Sequence, residues 1–495
     1  MAKKLKPLVK LPEKMGKVAD VVNNIIDHIK NGSGGGGGGV DFTPAKPIQL
    51  TEDKVLQLDP NYILTPLKVD NEGHLIIDKT QMKTINNQSI FGTGNIKVGT
   101  GHNEYIAPTG IGTTIRLLQK MHISDPSTLI TSETSFDGET IDNTKFGYEA
   151  EPTENVISWI RANSHVYVGK LEMNDETNRH EMYLRQLDDT DYNKFVDGTD
   201  ASAYIADSGN EGWDVFLKLP KFWYFCEEDD KGLLMRFRDT EHPDYHEWDE
   251  SQLIGVYETY VENNGCRSIS GKVSTGNVTQ ANFKTYSRNR NNDKTLADGG
   301  GYRLVTFEMH SMMAWLFYGY YGNANCQAVC GSGTSDYNKG TGTRDTMGIA
   351  EDTNSTNGNQ GSIKFWGLEN WWGNKAEWID NLQTIDGAGK TKIMNFDGTT
   401  RLEETFHNTG GNCITAYKWT SEGLLVVDTT TNDGTYYTYY CDGFWLGGSG
   451  CVGGRSTSDA VPNGGVGCLG LDGGPSYASA SFGSRLAYCG EFHID

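Results

Sequence analysis

Residues 367–380 have the sequence GLENWWGNKAEWID and say more about the architecture than any other segment. Three tryptophans within eight positions carry a large apolar area, which a folded domain buries in its core. The polar residues between them, Asn370, Asn374 and Glu377, can hydrogen-bond loop backbone that neither helix nor sheet satisfies. We therefore predict that this segment holds the loops of a large domain together and does not itself contact a ligand.

The segment after residue 440 is rich in glycine and serine, with GGR at 453–455, GGVG at 464–467 and GSRLA at 483–487. Interspersed apolar residues such as Phe444 and Phe482 indicate a loop-built surface on a small core, which is where recognition commonly lies. A guanidinium can clamp several carbonyls or a buried carboxylate, so we predict a structural role for Arg485. The predicted structural residues are Asn370, Trp371, Trp372, Gly373, Asn374, Glu377, Trp378, Arg455 and Arg485.

Around these segments, apolar alternation at 166–173 and 213–224 predicts strands, and the periodicity of 306–318 predicts a helix. Charged or Asn/Ser/Gly-rich loops separate them. We expect residues 150–495 to form one strand-poor, loop-rich domain with two helices. The polar segment 101–149, with a helix predicted at 113–121, is either a connector or the first part of this domain.

Three further parts are predicted in the first hundred residues. For the whole chain we predict the α+β fold class. Residues 1–31 form an anchor helix, because an apolar stripe repeats at spacings of four, three and four. Two heptads are too short to be stable alone, so sister chains or a docking partner must cover the stripe. The glycine-rich segment 32–39 predicts a flexible tether, with an engineered linker as the alternative. Short alternating pieces in 40–100 predict a β-rich stalk of several chains. The anchor residues are Val18, Val22, Ile25 and Ile29.

The composition disfavours several classes of function. With 65 acidic and 43 basic residues the net charge is -22, which repels nucleic acid and anionic membranes. The basic start lacks a continuous apolar segment, so we predict neither a secretion signal nor membrane insertion. Nine cysteines without paired C-x-x-C spacing indicate free thiols in a protein folded in a cytoplasm, and no metal site is predicted.

Residues 83–96, KTINNQSIFGTGNI, resemble an element that recurs in the shafts of phage tail fibres. The resemblance implies a homotrimeric fibre component.

Five segments of the large domain resemble, in order, the formylglycine-generating-enzyme/sulfatase-modifying type of C-type lectin fold, as it occurs in phage fibre tips. The central segment is similar to the family's E-N-x-x-G-N-x-x-E-W signature, and the final one to its G-F-R-x-A ending. The resemblance implies a C-type-lectin-like head domain. The five segments are 214–224, 302–306, 367–380, 453–455 and 482–487.

The catalytic branch of that family binds copper with two cysteines, one of them directly after the arginine of the closing motif. Here Leu486 follows Arg485, and Cys489 comes three residues later. Because other C-terminal cysteines could approach Cys489, a copper/cysteine oxidase is the alternative function. A related branch needs three iron-binding histidines, but the local pair His242 and His246 is interrupted by Pro243. A glycosidase stays open, since its two carboxylates need no local motif.

In fibre-tip relatives the ligand surface lies between the Gly-Gly-Arg and the closing Gly-x-Arg. Short polar side chains with one aromatic suit modest affinity for sugar or protein, strengthened when three copies act together. No cofactor is predicted, and calcium is left open. The resemblance maps the surface to Ser456, Ser458, Asp459, Val461, Asn463, Asp472, Tyr477, Ser479 and Ser481.

These inferences predict a homotrimeric fibre of a phage virion, attached to the tail or to the capsid as a head fibre. Residues 1–31 would bind other virion proteins. The head would bind a glycan or protein of the host cell surface, and the chain would be made in the host cytoplasm.

Overall fold

The chain divides into two units, residues 1–90 and 91–495, in the computed structural model. The backbone of eight short strands is described between residues 48 and 140. Beyond them, the structure describes 156–228, 232–292, 294–296, 300–322, 326–331, 333–334, 336–342, 362–387, 389–406, 413–420, 422–430, 442–455 and 464–495.

The first unit contains two short antiparallel hairpins. In one, β1 (Ile48–Leu50) pairs with β2 (Leu56–Leu58), and in the other β3 (Leu67–Val69) pairs with β4 (Leu75–Ile77). The strand predicted at 74–77 is therefore present. The anchor residues Val18, Val22, Ile25 and Ile29, the tether 32–39 and the fibre-like element 83–96 lie outside the described residues.

The second unit is built mainly of strands. Its described helices are Val156–Ala162, Ser202–Ile205, Gln280–Asn289, Phe307–Tyr321 and Cys326–Cys330. Its strands are β5 (Gly112–Leu118), β6 (Ile130–Ser132), β7 (Ser135–Phe136), β8 (Glu139–Thr140), β9 (His165–Asn174), β10 (Arg179–Asp188), β11 (Asp191–Phe195), β12 (Asp214–Lys218), β13 (Phe222–Glu228), β14 (Gly232–Arg238), β15 (His246–Trp248), β16 (Gln252–Glu258), β17 (Tyr260–Glu262), β18 (Gly265–Arg267), β19 (Gly301–Leu304), β20 (Lys364–Phe365), β21 (Leu368–Glu369), β22 (Ala376–Thr384), β23 (Lys390–Met394), β24 (Thr400–Thr405), β25 (Cys413–Thr420), β26 (Gly423–Thr430), β27 (Phe444–Leu446), β28 (Val452–Arg455), β29 (Leu469–Gly473), β30 (Phe482–Cys489) and β31 (Phe492–Ile494).

One large mixed sheet organises this unit. Among the described residues its strands follow the order β11-β10-β9-β12-β16-β30-β22-β28-β29-β27, with β19, β23, β24 and β31 added at the sides. Strand β30 pairs antiparallel with β16 and parallel with β22, so it lies inside the sheet. The C-terminal segment therefore supplies an interior strand of the domain.

The sheet is buried on both faces, which explains why its strands are apolar at consecutive positions. In β9, Val166 and Val168 belong to one hydrophobic cluster, whereas Tyr167 and Leu171 belong to another. Successive side chains of a strand point to opposite faces, so each face has its own core. The same split occurs in β12, where Phe216 lies with the second cluster.

Helix Phe307–Tyr321 packs in the first core and confirms the helix predicted at 306–318. It begins after Thr306, whose hydroxyl accepts a bond from the Met309 amide at 3.3 Å, and ends at Gly322 in the left-handed region. It is apolar on nearly all sides, as expected for a helix buried in a core. Helix Gln280–Asn289 covers the other face through Phe283.

A five-stranded antiparallel sheet of order β15-β13-β14-β5-β6 lies beside the first core. Its strand β5, Gly112–Leu118, corrects the helix predicted at 113–121. Thr113, Thr114 and Ile115 are β-branched and favour a strand once β14 is there to pair with. The strand predicted at 213–224 is two strands, β12 and β13, separated around Pro220.

The described residues make the domain strand-rich with few helices. The expectation of a strand-poor domain is therefore wrong. The sequence patterns predict too few strands, because a strand buried on both faces does not alternate in polarity. Within the described part of the chain, no helix is long and apolar enough to cross a membrane.

Candidate functional site

The signature segment forms a turn-rich loop whose backbone explains its residue types. Asn370 and Asn374 have φ values of 51° and 53°, and Gly373 has a φ of 79°. Asparagine and glycine tolerate this left-handed region best. A Cβ at position 373 would also lie 2.8 Å from the Thr334 amide nitrogen, so only glycine fits there.

A buried charge cluster ties this loop to the closing strand. Arg485 donates to both carboxylate oxygens of Glu377, at 2.8 and 3.2 Å, and to four backbone carbonyls that include Gly255 and Asn370. Arg455 pairs with the same carboxylate and donates to the Trp371 carbonyl at 2.8 Å. The cluster thus joins β16, β22, β28 and β30 to the loop.

A second buried carboxylate, Glu258, holds the other end of the loop. It accepts bonds from the Lys375 amide, at 3.1 Å, and from the Asn374 side chain. Burial raises the pKa of Glu258, while the nearby Arg485 opposes that change. Burial lowers the pKa of Arg485 to about 10, which still leaves it charged at neutral pH.

The tryptophans of the signature are core residues. Trp371 and Trp372 belong to the first core, Trp378 belongs to the second, and none of the three is more than 1% exposed. Trp372 donates to the Gly331 carbonyl at 3.0 Å, and Trp378 to the Val278 carbonyl at 3.3 Å. These positions leave no accessible ring face for a ligand.

The predicted ligand residues fall into three groups. Asp472 and Tyr477 are exposed, with Tyr477 46% exposed, whereas Ser479 and Ser481 are half-buried. The two serine hydroxyls bond each other at 3.0 Å, and the Ser479 carbonyl accepts from the Asn277 amide at 2.7 Å. The serines therefore shape the loop more than they present themselves to a ligand. Ser456, Ser458, Asp459, Val461 and Asn463 lie outside the described residues.

The ring of Tyr477 packs against aromatic side chains of the core. Its ring packs edge-on against Phe482, at 5.2 Å between centroids, and against Trp378, at 6.4 Å. Trp378 in turn contacts Phe482 at 4.7 Å. A tyrosine supported in this way offers a rigid contact surface at low entropic cost.

Two further exposed residues adjoin this loop and were not predicted. Val273 is 49% exposed and Tyr337 is 38% exposed. The strand-like bridge between Val273 and Gly340 joins their loops, and the Lys375 ammonium donates to the carbonyls of Tyr337 and Ala480. We call the surface formed by residues 271–277, 336–341 and 472–481 the loop face.

The loop face concentrates apolar exposure. In the described part of the chain the exposed large apolar residues are Met173, Val273, Tyr337, Tyr477 and Ile494, and three of these five lie on the loop face. No local sequence signal could have indicated Val273 or Tyr337, because their loops are far apart in the chain. The bridge between Val273 and Gly340 brings their two loops together, and Lys375, next to the signature asparagine, ties the Tyr337 loop to Ala480 near Tyr477.

The cysteines have different surroundings. The eight described cysteines are free thiols, and Cys468 lies near the buried carboxyl of Asp442, whereas Cys489 lies against Arg303. Burial raises the pKa of both thiols, which disfavours the thiolate form that binds metal. The position after Arg485 is occupied by the fully buried Leu486. The described residues contain no group of three potential metal ligands.

Comparisons with known proteins do not identify a family for this chain. No protein family matches the chain, and no curated protein does. One solved structure, titled Major Tropism Determinant U1 Variant, is similar with 11% identity and a TM-score of 0.22, over 86% of this chain and 94% of that one. At this TM-score the likeness identifies neither a fold nor a function.

Proposed function

We propose that this chain is a fibre protein of a phage particle and that its large domain recognises a component of the host surface through the loop face. The domain would be a C-type-lectin-like head of the sulfatase-modifying type. Residues 1–31 would bind other virion proteins, at the tail or the capsid, and the stalk at 40–100 would join three chains.

One observation carries the recognition role. Three exposed apolar side chains, Val273, Tyr337 and Tyr477, lie on adjoining loops above a fully buried charge cluster. Loops on a rigid scaffold are suited to binding, because the scaffold bears the cost of ordering them. Exposed tyrosines supply contact area without much loss of side-chain entropy.

The resemblance of the signature segments supports the head fold. The residues that the family pattern requires converge on one buried cluster in this chain, with Glu377 between Arg455 and Arg485. Three of the five segments, 367–380, 453–455 and 482–487, supply residues to that cluster. The fibre assignment rests on the element at 83–96 and on the weakness of isolated hairpins such as β1–β2 and β3–β4, which favours association of chains.

The mass of the full chain in solution tests the fibre assignment. We expect light scattering to give three times the mass of one 54.6 kDa chain. A monomer at micromolar concentration, with residues 1–100 intact, would count against both the stalk and the fibre.

Binding of the labelled full chain to a panel of bacterial isolates tests the recognition role. On an isolate that binds, we expect Tyr477→Ala and Tyr337→Ala each to weaken binding by about tenfold, since an exposed aromatic anchor contributes over about 1 kcal/mol. Met173→Ala is the matched control, because Met173 is 45% exposed and lies on β9, outside the loop face. Equal losses from the control and the tyrosine variants, or no binding to any isolate, would overturn the assignment.

A further inference from the structure

A cleft of about 510 Å³ lies on the five-stranded sheet, apart from the loop face. Its lining combines two aromatic rings with charged groups, and its volume is within the range of about 300–1,000 Å³ common for small-molecule sites. The lining residues are Phe225, Glu227, Arg236, His242, Asp244 and Tyr245.

The pleat of the sheet places the first three of these residues together. In β13, Phe222, Tyr224 and Cys226 pack against the first core. Alternation along the strand therefore turns Phe225 and Glu227 to the opposite face. Arg236 is the register partner of Phe225 on β14, and it forms an ion pair with Glu227.

A short turn, stabilised by hydrogen bonds, supplies the other three lining residues, His242, Asp244 and Tyr245. Pro243 occupies the second position of a turn in which the Tyr245 amide donates to the His242 carbonyl at 3.1 Å. The Asp244 amide donates to Nδ1 of His242 at 3.3 Å. The chain then enters β15, where Trp248 stacks on Phe222 at 5.9 Å with the ring planes 7° apart. The cleft is therefore formed before a ligand arrives.

The aromatic rings define the apolar part of the site. The centroids of Phe225 and Tyr245 are 5.6 Å apart with a tilt of 34°, and His242 contacts Tyr245 at 4.4 Å. Beside them stand two carboxylates that accept hydrogen bonds and one guanidinium that donates them. A pyranose ring matches this combination, because its C–H groups pack on aromatic faces while its hydroxyls both donate and accept.

The charged side chains of the cleft disfavour some classes of ligand. Glu227 already neutralises Arg236, and Asp244 adds a negative charge, so an anionic sugar is disfavoured. A quaternary ammonium group also packs on aromatic rings, but it neither donates nor accepts hydrogen bonds, so it would leave the polar groups of this lining unpaired. We propose that this cleft binds a neutral saccharide, independently of the function proposed for the loop face.

Titration calorimetry of the full chain tests the proposal. The probes are the methyl glycosides of glucose, galactose, mannose and N-acetylglucosamine, with glucuronate and choline as charged comparisons. We expect saturable binding of at least one neutral glycoside, weakened about tenfold by Tyr245→Ala through loss of ring contact. Asp244→Asn, an exposed change that leaves the fold intact, should weaken binding by a similar factor.

Met173→Ala, on β9 and outside both the cleft and the loop face, should leave glycoside binding unchanged. Saturable binding that neither Tyr245→Ala nor Asp244→Asn weakens would overturn the proposal. So would stronger binding of glucuronate or choline than of any neutral glycoside, or no saturation by any glycoside at millimolar concentration.

Discussion

Arg485 binds both carboxylate oxygens of Glu377, with Nη2 2.8 Å from Oε1 and Nε 3.2 Å from Oε2, and both side chains are fully buried. Arg455 approaches the same carboxylate from β28. One carboxylate thus serves two guanidinium groups in the interior of the domain, and the loop geometry of the signature segment depends on it.

Removing that carboxylate charge should destabilise the domain strongly. We expect Glu377→Gln to lower the free energy of unfolding by about 3–5 kcal/mol, because two buried guanidinium groups lose their counter-charge. Urea denaturation followed by tryptophan fluorescence measures the change. The control is Glu247→Gln, which breaks the exposed pair with Lys221 and should cost less than about 1 kcal/mol. A loss of under 1 kcal/mol for Glu377→Gln would contradict the structural role.

The left-handed turn at Gly373 should tolerate no side chain. We expect Gly373→Ala to cost clearly more than Gly398→Ala in thermal denaturation, although both glycines have φ values near 80–90°. Gly398 has open space around its Cβ position, so its variant reports only the backbone cost of about 1–2 kcal/mol. At Gly373 a clash with the backbone of Thr334 adds to that cost. Similar losses at the two positions would show that the loop can move aside.

Stability should depend on the ionisation of Asp442. Burial raises the pKa of this carboxyl to about 8, although the Gly467 amide and the Tyr318 hydroxyl partly oppose the shift. The folded state therefore keeps a proton that the unfolded state releases above about pH 4. Its contribution is fully present below pH 4 and is lost as the pH rises towards 8, by at most about 1.4 kcal/mol per pH unit.

The variant Asp442→Asn should remove this dependence. We expect its stability in urea to exceed that of the wild type near pH 8 and to approach it near pH 4. Subtracting the two stability curves isolates the residue from other titrating groups. A constant difference between pH 4 and pH 8 would mean that Asp442 is ionised in the folded protein.

The oxidase alternative makes a separate prediction about copper. With Leu486 buried at the position after Arg485, and with the pKa of the Cys489 thiol raised, we expect less than stoichiometric copper in protein purified and incubated with Cu(I). Cys489→Ser should then bind the same trace amount as the wild type. Tight stoichiometric copper that this substitution abolishes would favour the oxidase and contradict the fibre assignment of the head.

Sequence reasoning succeeded where the residues of a segment are enough to determine its secondary structure. The helix at 307–321 could be predicted because Thr306 caps it and its apolar run is long enough for a helix. Strand β9 could be predicted from its β-branched and aromatic residues. The structural role of Arg485 followed from the geometry of guanidinium, although its partner Glu377 could not be specified.

Sequence reasoning failed where the structure of a segment depends on residues that are distant in the sequence. The strand at 112–118 depends on pairing with β14, more than a hundred residues later, so its own composition was ambiguous. The loop face could be predicted only in part, because Val273 reaches it through a bridge to Gly340, and Tyr337 through the long-range bonds of Lys375. The cleft beside Tyr245 could not be predicted from its own loop, since Phe225 and Arg236 come from other strands.

The interior place of β30 has a consequence for biosynthesis. Because Phe482–Cys489 separates β16 from β22, the ribosome must release residue 489 before the sheet can close. Until then the halves of the sheet expose strand edges that could pair with a neighbouring nascent chain. The sheet can therefore close only after β30 has been synthesised, and a chain cut short within β30 would leave the edges of β16 and β22 without that partner strand.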